Sequence, residues 1–300
     1  MGTEFCIVDV FAEQKYTGNQ LAVITEGESL DTETMQAIAA EMAYSETTFI
    51  TGPPEQGVWP VRIFTPTDEI PFAGHPTLGT AWIIREELAD GTPEQVTLGL
   101  GVGDIPVDVR SQDGTDRFWM RQREPTFGTT VPHEQAAKVL GIDPASVDSD
   151  WPVQVVSTGL PTVIVSLTDR DALTGIDLNR EAYSELVEAT DAKLVLAFCA
   201  NPRNAENDIA ARMFAPALGV FEDPATGSAN GCLGAYLARH EYFGSPSVTA
   251  RVEQGYELGR SSLLFLDATA SVEVGGTAKD DAVTVAVGGE VQRVARGTLE

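Results

Sequence analysis

Arg62-Ile63-Phe64-Thr65-Pro66 and Arg212-Met213-Phe214-Ala215-Pro216 stand 150 residues apart in a chain of 300, and their likeness decides how the fold is read. Each is followed by a second match: His75-Pro76-Thr77-Leu78-Gly79-Thr80-Ala81 has its counterpart 148 residues later in Asp223-Pro224-Ala225-Thr226-Gly227-Ser228-Ala229. Upstream, Thr17-Gly18-Asn19-Gln20-Leu21-Ala22-Val23-Ile24 is matched 141 residues later by Thr158-Gly159-Leu160-Pro161-Thr162-Val163-Ile164-Val165. Three blocks in one order imply two similar domains related by a pseudo-twofold axis, a pairing that offers a cleft where small-molecule sites often lie. The period is too long for a solenoid of short repeats. The expected domains are 1–122, to which a C-terminal strand at about 285–300 could be added, and 123–284. Residues 123–128, with Pro125 and Gly128, read as the linker.

Periodicity fills in the elements. Residues 5–11, 21–24, 47–50 and 58–64 are short β-branched or apolar runs and read as strands, as do 153–156, 162–167, 193–198 and 210–214 in the second half. Residues 31–43 read as a helix with Asp31 as N-cap and Met35, Ile38, Ala39 and Met42 at helical spacing. Residues 177–189 read as its counterpart. After the matched motifs, 79–88 and 227–240 read as helices that open with small residues. The second is apolar or small nearly all round until Arg239, and a helix without a polar face is normally buried. A helix running through a curled sheet in each half is therefore expected. The C-terminal part reads as strands at 263–266, 271–274, 283–287 and 291–295, with Gly288-Gly289 as a hairpin turn.

Composition bounds the partners. Forty-three per cent hydrophobic and 21% charged residues describe a globular chain, and no apolar run is long enough to cross a bilayer. Glu4 and Asp9 interrupt the N-terminus, so no secretory signal is read there and a cytoplasmic protein is expected. Lys plus Arg total 19 against 45 Asp plus Glu, a net charge of −26. Such a surface repels nucleic acid and anionic membranes. The acids are spread along the chain and lysine is scarce, which suits a cytoplasm at molar salt, where screening acts over about 3 Å. The expectation is a halophilic source. Cys6, Cys199 and Cys232 are odd in number and widely spaced, and His75, His133 and His240 lack metal-ligand spacing. No Gly-x-Gly-x-x-Gly or Walker A motif occurs. Neither a metal nor a cofactor is expected.

Three titratable residues draw attention. His75 follows Pro71-Phe72-Ala73-Gly74. A packed loop histidine is the plainer reading, but beside a helix N-terminus the ring is held neutral and could exchange a proton near pH 7. Asp223 could simply cap a helix, with Pro224 at the first helical position. The repeat changes that balance, because His75 and Asp223 occupy equivalent positions and could converge on one cleft. The N–H groups of Gly79, Thr80, Gly227 and Ser228 would then receive a carboxylate. Glu46, in Tyr44-Ser45-Glu46-Thr47, reads most plainly as an exposed carboxylate at a helix end. Buried in the cleft, its pKa would rise and suit general acid/base work. Arg62 and Arg212 read as a structural ion pair in each half.

Together, Gly18-Asn19-Gln20-Leu21-Ala22-Val23, Ser45-Glu46-Thr47, Arg62-Ile63-Phe64-Thr65-Pro66, Pro71-Phe72-Ala73-Gly74-His75-Pro76-Thr77-Leu78-Gly79 and Asp223-Pro224-Ala225-Thr226-Gly227-Ser228-Ala229 closely resemble the phenazine-biosynthesis PhzF family, from about Val8 onward. The resemblance implies the α+β diaminopimelate-epimerase-like fold: two pseudo-symmetric domains, each a curled, barrel-like sheet around a central helix. It also implies a homodimer and cofactor-free isomerisation of a small unsaturated or cyclic carboxylate. Glu46 takes the proton-shuttling role, and His75 and Asp223 bind and assist. Asn19 and Gly74, within the matched motifs, join the substrate-binding set. The related two-thiol racemases carry cysteines where this chain has His75 and Asp223, and Cys232 lies nine residues beyond Asp223, so a thiol pair is not expected. An amino-acid racemase or epimerase using two bases, and a non-catalytic binding protein of the same fold, remain as alternatives.

Overall fold

The computed structural model describes residues 2–112, 114–271 and 282–300. The chain divides into two compact units, Met1–Met120 with Gly288–Glu300, and Arg121–Val287.

The first unit contains β1 (Thr3–Val10), β2 (Asn19–Ile24), α1 (Thr32–Met42), β3 (Thr47–Ile50), β4 (Val58–Phe64), β5 (Glu69–Ile70), α2 (Gly74–Ile83), β6 (Gln95–Leu100), β7 (Gly103–Gln112) and β8 (Thr115–Arg121). The chain's last strand, Val291–Leu299, pairs antiparallel with β1. β1 pairs antiparallel with β2, which runs parallel to β3. β4 pairs antiparallel with β3 and β5 and parallel with β6, which continues antiparallel into β7 and then β8. α2 packs on β1, β2, β3, β6, β7 and the last strand, so the sheet curls around it. Eight of its ten residues are buried. On the sheet's other face, Met35 and Ala39 of α1 join Ile24, Phe49 and Phe64 in a second apolar layer. Asp31 caps α1 by accepting from the Thr34 N–H at 2.8 Å.

The second unit contains β9 (Thr126–Val131), α3 (His133–Leu140), β10 (Val153–Ser157), β11 (Thr162–Ser166), α4 (Arg170–Thr174), α5 (Arg180–Thr190), β12 (Leu194–Cys199), β13 (Ile209–Ala215), β14 (Val220–Asp223), α6 (Gly227–Arg239), β15 (Ser247–Gln254), β16 (Ser262–Ala270) and β17 (Val283–Gly289), which leads to the last strand, β18. Its ladder repeats the first. β10 lies antiparallel between β9 and β11, β11 is parallel to β12, and β13 pairs with β12, β14 and, in parallel, β15, which runs into β16. α6 packs on β10, β11, β12, β15 and β16. Eleven of its 13 residues are buried, as its lack of a polar face requires.

The repeated Arg-x-Phe block has one physical meaning in both units. Successive side chains alternate faces along a strand, so Arg and Phe two apart share a face. Arg62 lies over the Phe64 ring at 5.1 Å and Arg212 over Phe214 at 5.0 Å. Each guanidinium grips a glutamate with two parallel bonds: Arg62 with Glu69 at 2.7 and 2.6 Å, and Arg212 with Glu222 at 2.9 and 2.8 Å. Both arginines are structural.

Several boundaries differ from the sequence reading. The expected linker is already strand from Thr126, because β10 supplies a pairing partner that offsets Pro125 and Gly128. α5 starts three residues later than expected, at Arg180, since Asn179 and not Asp177 accepts the capping bonds from Glu181 and Ala182. Gly288-Gly289 is no turn. Both lie in β17, and a Cβ would fall 2.4 Å from Trp119 at Gly288 and 2.4 Å from Phe11 at Gly289. The two glycines admit aromatic rings against the backbone. The strand expected at 271–274 lies, beyond Ser271, outside the described residues. Among the described residues, no helix is long and apolar enough to cross a membrane.

Candidate active site

β2 and β3 are parallel, with Ala22 opposite Thr47, so their N-terminal ends lie at the same edge of the sheet. Gln20 belongs to one end, and Glu46 immediately precedes the other. α1 reaches this edge by ending at Ala43, whose left-handed conformation (φ 55°) stops the helix while its N–H still bonds the Ala39 carbonyl. α2, packed on both strands, delivers His75 from its first turn. The imidazole Nε2 lies 3.5 Å from Glu46 Oε2 and 3.3 Å from the Gln20 carbonyl. His75 is buried, and Glu46 keeps 18% of its side chain exposed.

Burial lowers the His75 pKa from 6.5 to about 4, against the opposing effect of the Gln20 hydrogen bond. The ring is therefore neutral at pH 7. Both oxygens near Nε2 are acceptors, so Nε2 carries the hydrogen and Nδ1 the lone pair. An imidazolium here would tie Glu46 into a fixed ion pair. The neutral ring forms no such pair.

α2 begins at Gly74, five residues before the helix start read from the sequence, with Ala73 as an N-cap that lends no side chain. Only the first four N–H groups of a helix lack intrahelical acceptors. Gly79 and Thr80 are thus too far along to present unpaired amides, whereas Gly74 and His75 lie in the first turn and Pro76 has no N–H. Gly79 instead lets the helix approach the sheet: a Cβ there would lie 2.6 Å from Leu21 and 2.8 Å from Val10. Thr80 bonds Thr48 of β3, hydroxyl to hydroxyl at 2.8 Å, tying α2 to the strand that follows Glu46. Asn19, buried, opens β2 opposite Val10. Gly18 precedes it at φ 67°, where a Cβ would strike the Val10 carbonyl at 2.4 Å.

In the second unit, Asp223 is the buried last residue of β14, opposite Met213. It is not the helix cap, and Pro224 is not the first helical residue. Thr226 is the N-cap of α6, and its hydroxyl donates to Asp223 Oδ2. Gly227 and Ser228 are the first two residues of α6, so helix geometry leaves their N–H groups without intrahelical acceptors. The sequence reading missed the Gln20 carbonyl, which carries no side-chain signal, and Thr226, Asn230 and Gln254, which surround Asp223. Gln254 lies on β15, a strand that reading left unassigned.

Cys232 is buried in α6 with its thiol toward the Thr158 hydroxyl and the Leu160 carbonyl, and burial raises its pKa. Among the described residues, no group of three His, Cys, Asp or Glu side chains is placed to hold a metal ion. A cavity of about 450 Å³ in the first unit is lined by Arg62, Glu69, Pro71 and Leu100, not by Glu46 or His75. Arg62 is already paired in its wall.

The family model described as phenazine biosynthesis-like protein, PhzC-PhzF, matches residues 8–295. The chain belongs to the PhzC/PhzF family. Its relatives include the trans-2,3-dihydro-3-hydroxyanthranilate isomerase of Pseudomonas fluorescens, 36% identical over 90% of this chain and 91% of the relative. An uncharacterised isomerase of Clostridium acetobutylicum is 32% identical over 87% of this chain and 88% of its own length. A PhzF-family crystal structure from Bacillus anthracis superposes with a TM-score of 0.89 at 26% identity, covering 100% of this chain and 99% of that one. A probable proline racemase from Agrobacterium radiobacter, at 12% identity and a TM-score of 0.63 over 99% of this chain and 93% of that one, shares the fold. The fold is thus the α+β, diaminopimelate-epimerase-like type, and the protein is an isomerase of the PhzC/PhzF family.

Proposed function

We propose that the protein is a cofactor-independent isomerase that moves a proton between two carbons of a small unsaturated or cyclic amino carboxylate, with Glu46 as the proton carrier. The observation that carries this reading is Glu46 beside a buried, neutral His75. The carboxylate takes a proton from carbon. The electron pair left behind spreads through the conjugated system, and protonated Glu46 returns the proton at another carbon, so nothing is oxidised or reduced. His75 stays neutral and offers its Nε2–H. In the first unit the first-turn amide of Gly74 and the Asn19 side chain, and in the second the first-turn amides of Gly227 and Ser228 and the Asp223 carboxylate, are the groups proposed to bind carboxylate and amino functions and to stabilise charge that develops on them. Gly79 and Thr80 are left out of this set, since they hold α2 against the sheet.

The substrates to try first are cyclic dienes bearing an amino group and a carboxylate, beginning with trans-2,3-dihydro-3-hydroxyanthranilate, the compound in the name of the Pseudomonas fluorescens relative. Proton NMR of each candidate, with and without the protein, distinguishes the outcomes. Migration of a double bond supports the reading. Inversion at one carbon with the double bonds unmoved would replace it with a two-base epimerase. We further infer a homodimer working in a saline cytoplasm, the latter from the net charge of −26. Unfolding in molar KCl at a lower temperature than in dilute buffer would refute the saline assignment, and a monomer in analytical ultracentrifugation would refute the dimer.

A further inference from the structure

Asp223 sits at the end of a hydrogen-bond chain whose direction is fixed by chemistry. Gln254 is 1% exposed and Asn230 fully buried. Asn230 Nδ2 donates to Gln254 Oε1 at 2.8 Å and to the Thr226 carbonyl at 3.0 Å. Gln254 Oε1 also receives the Thr226 N–H at 3.4 Å. On its other side, Gln254 Nε2 donates to the Asp223 carbonyl at 2.8 Å and to Thr226 Oγ1 at 3.2 Å. Thr226 Oγ1 in turn meets Asp223 Oδ2. Neither amide can be turned over. A flipped Gln254 would set its oxygen against the Asp223 carbonyl and its nitrogen against two donors, and a flipped Asn230 would set its oxygen against two acceptors. The Thr226 hydroxyl already receives a hydrogen from Gln254, so its own single hydrogen goes to Asp223. Side chain and main chain of Asp223 are thus held from two directions, one through Thr226 and one directly by Gln254.

This network is absent from the corresponding place in the first repeat. The positions 148 residues before Thr226 and Asn230 are Leu78 and Trp82. It is therefore no general requirement of a central helix in a curled sheet. It accompanies the carboxylate.

We infer that Gln254, acting through Thr226, is a positioning residue for Asp223: it orients the Asp223 carboxylate toward substrate as a hydrogen-bond acceptor. The inference rests on the proposed role of Asp223 for its catalytic consequence, but its structural part can be read without substrate. Three-bond couplings across the Asp223 side chain in labelled, full-length protein report its rotamer populations. A single χ1 rotamer is expected in the wild type and in Thr226→Ser, which keeps the hydroxyl. Averaging over two or more rotamers is expected in Thr226→Val and Gln254→Met, each shown by circular dichroism to be folded. Thr226→Val, which preserves shape, guards against loss of folding in Gln254→Met. With a substrate in hand, kcat falls roughly ten- to hundredfold in both variants with a smaller change in KM, and Thr226→Ser restores it. A single, unchanged Asp223 rotamer in both variants overturns the inference. Averaged rotamers in an otherwise inert protein uphold it and count against the proton-shuttle reading instead.

Discussion

The two repeats share a scaffold and differ in chemistry. Arg62 with Glu69 and Arg212 with Glu222 are the same device, bidentate and stacked on a phenylalanine, yet the first pair is 30% and 42% exposed and the second 9% and 5%. Arg212 also donates to the carbonyls of Leu173 and Ile176 at 3.1 and 3.2 Å, closing the end of α4. The equivalent positions 75 and 223, near the starts of the central helices, diverge further. His75 is held neutral by burial in the first turn of α2, whereas Asp223 ends a strand and is held by a polar network. The duplicated fold kept the ladder and the ion pair, while the equivalent positions 75 and 223 became an imidazole in one unit and a carboxylate in the other.

That comparison can be broken at several points. The largest effect is expected at Glu46, which lies outside the three matched blocks: Glu46→Gln should lower turnover by about 10²–10⁴-fold, read from initial rates, while the fold persists. Next come the ion pairs. Glu222→Gln leaves a buried guanidinium uncompensated and should destabilise by about 3–5 kcal/mol, against less than about 1 kcal/mol for Glu69→Gln at the exposed pair. Chemical denaturation of the two variants decides whether burial, rather than the motif, sets the energy.

His75 separates the repeats by pH. Its folded pKa of about 4 lies below the ordinary 6.5, so between these values the unfolded chain binds a proton that the folded one refuses. Stability is therefore lost as pH falls from 6.5 towards 4, by roughly 3 kcal/mol from this group, and is complete above the unfolded value. The contribution is the difference between wild type and His75→Asn in denaturation series across that window. Parallel curves would show that the ring is not held neutral by the fold. The smallest contrast lies in the central helices. Gly79→Ala should cost about 1–3 kcal/mol by overpacking against Leu21 and Val10. Gly234→Ala, where a Cβ would lie 3.2 Å from Val285, should be milder. Equal melting temperatures for the two would remove the case for unusually close approach in the first unit.

Much of the architecture was legible because duplication writes the same physics twice. A single Arg-x-Phe is uninformative, but two of them in step with two Thr-Gly blocks and two small-residue helices leave few alternatives to a repeated domain. What escaped reading was local. The start of α2 was hidden because Ala73 lends no capping side chain, leaving the small residues further along to mark the helix. Asp177 concealed Asn179 because both can cap and only geometry chooses. Gly288 and Gly289 resemble a turn in sequence, whereas their purpose lies in Trp119 and Phe11, far away along the chain. At the candidate site, Glu46 and His75 were identifiable as side chains. The Gln20 carbonyl was not, since a backbone acceptor leaves no trace in residue identity. Gln254 and Asn230 read as ordinary polar residues until folding buries them around Asp223.

The most direct measurement is solvent deuterium incorporation. The protein and a cyclic amino carboxylate that it converts would be held in D2O with molar KCl, and the product's labelled carbon located by NMR, with Glu46→Gln in parallel. A proton carried by Glu46 exchanges with solvent, so deuterium should appear at the carbon that gains the hydrogen and the variant should neither convert nor label. Conversion and labelling undiminished in Glu46→Gln would show that another group moves the proton.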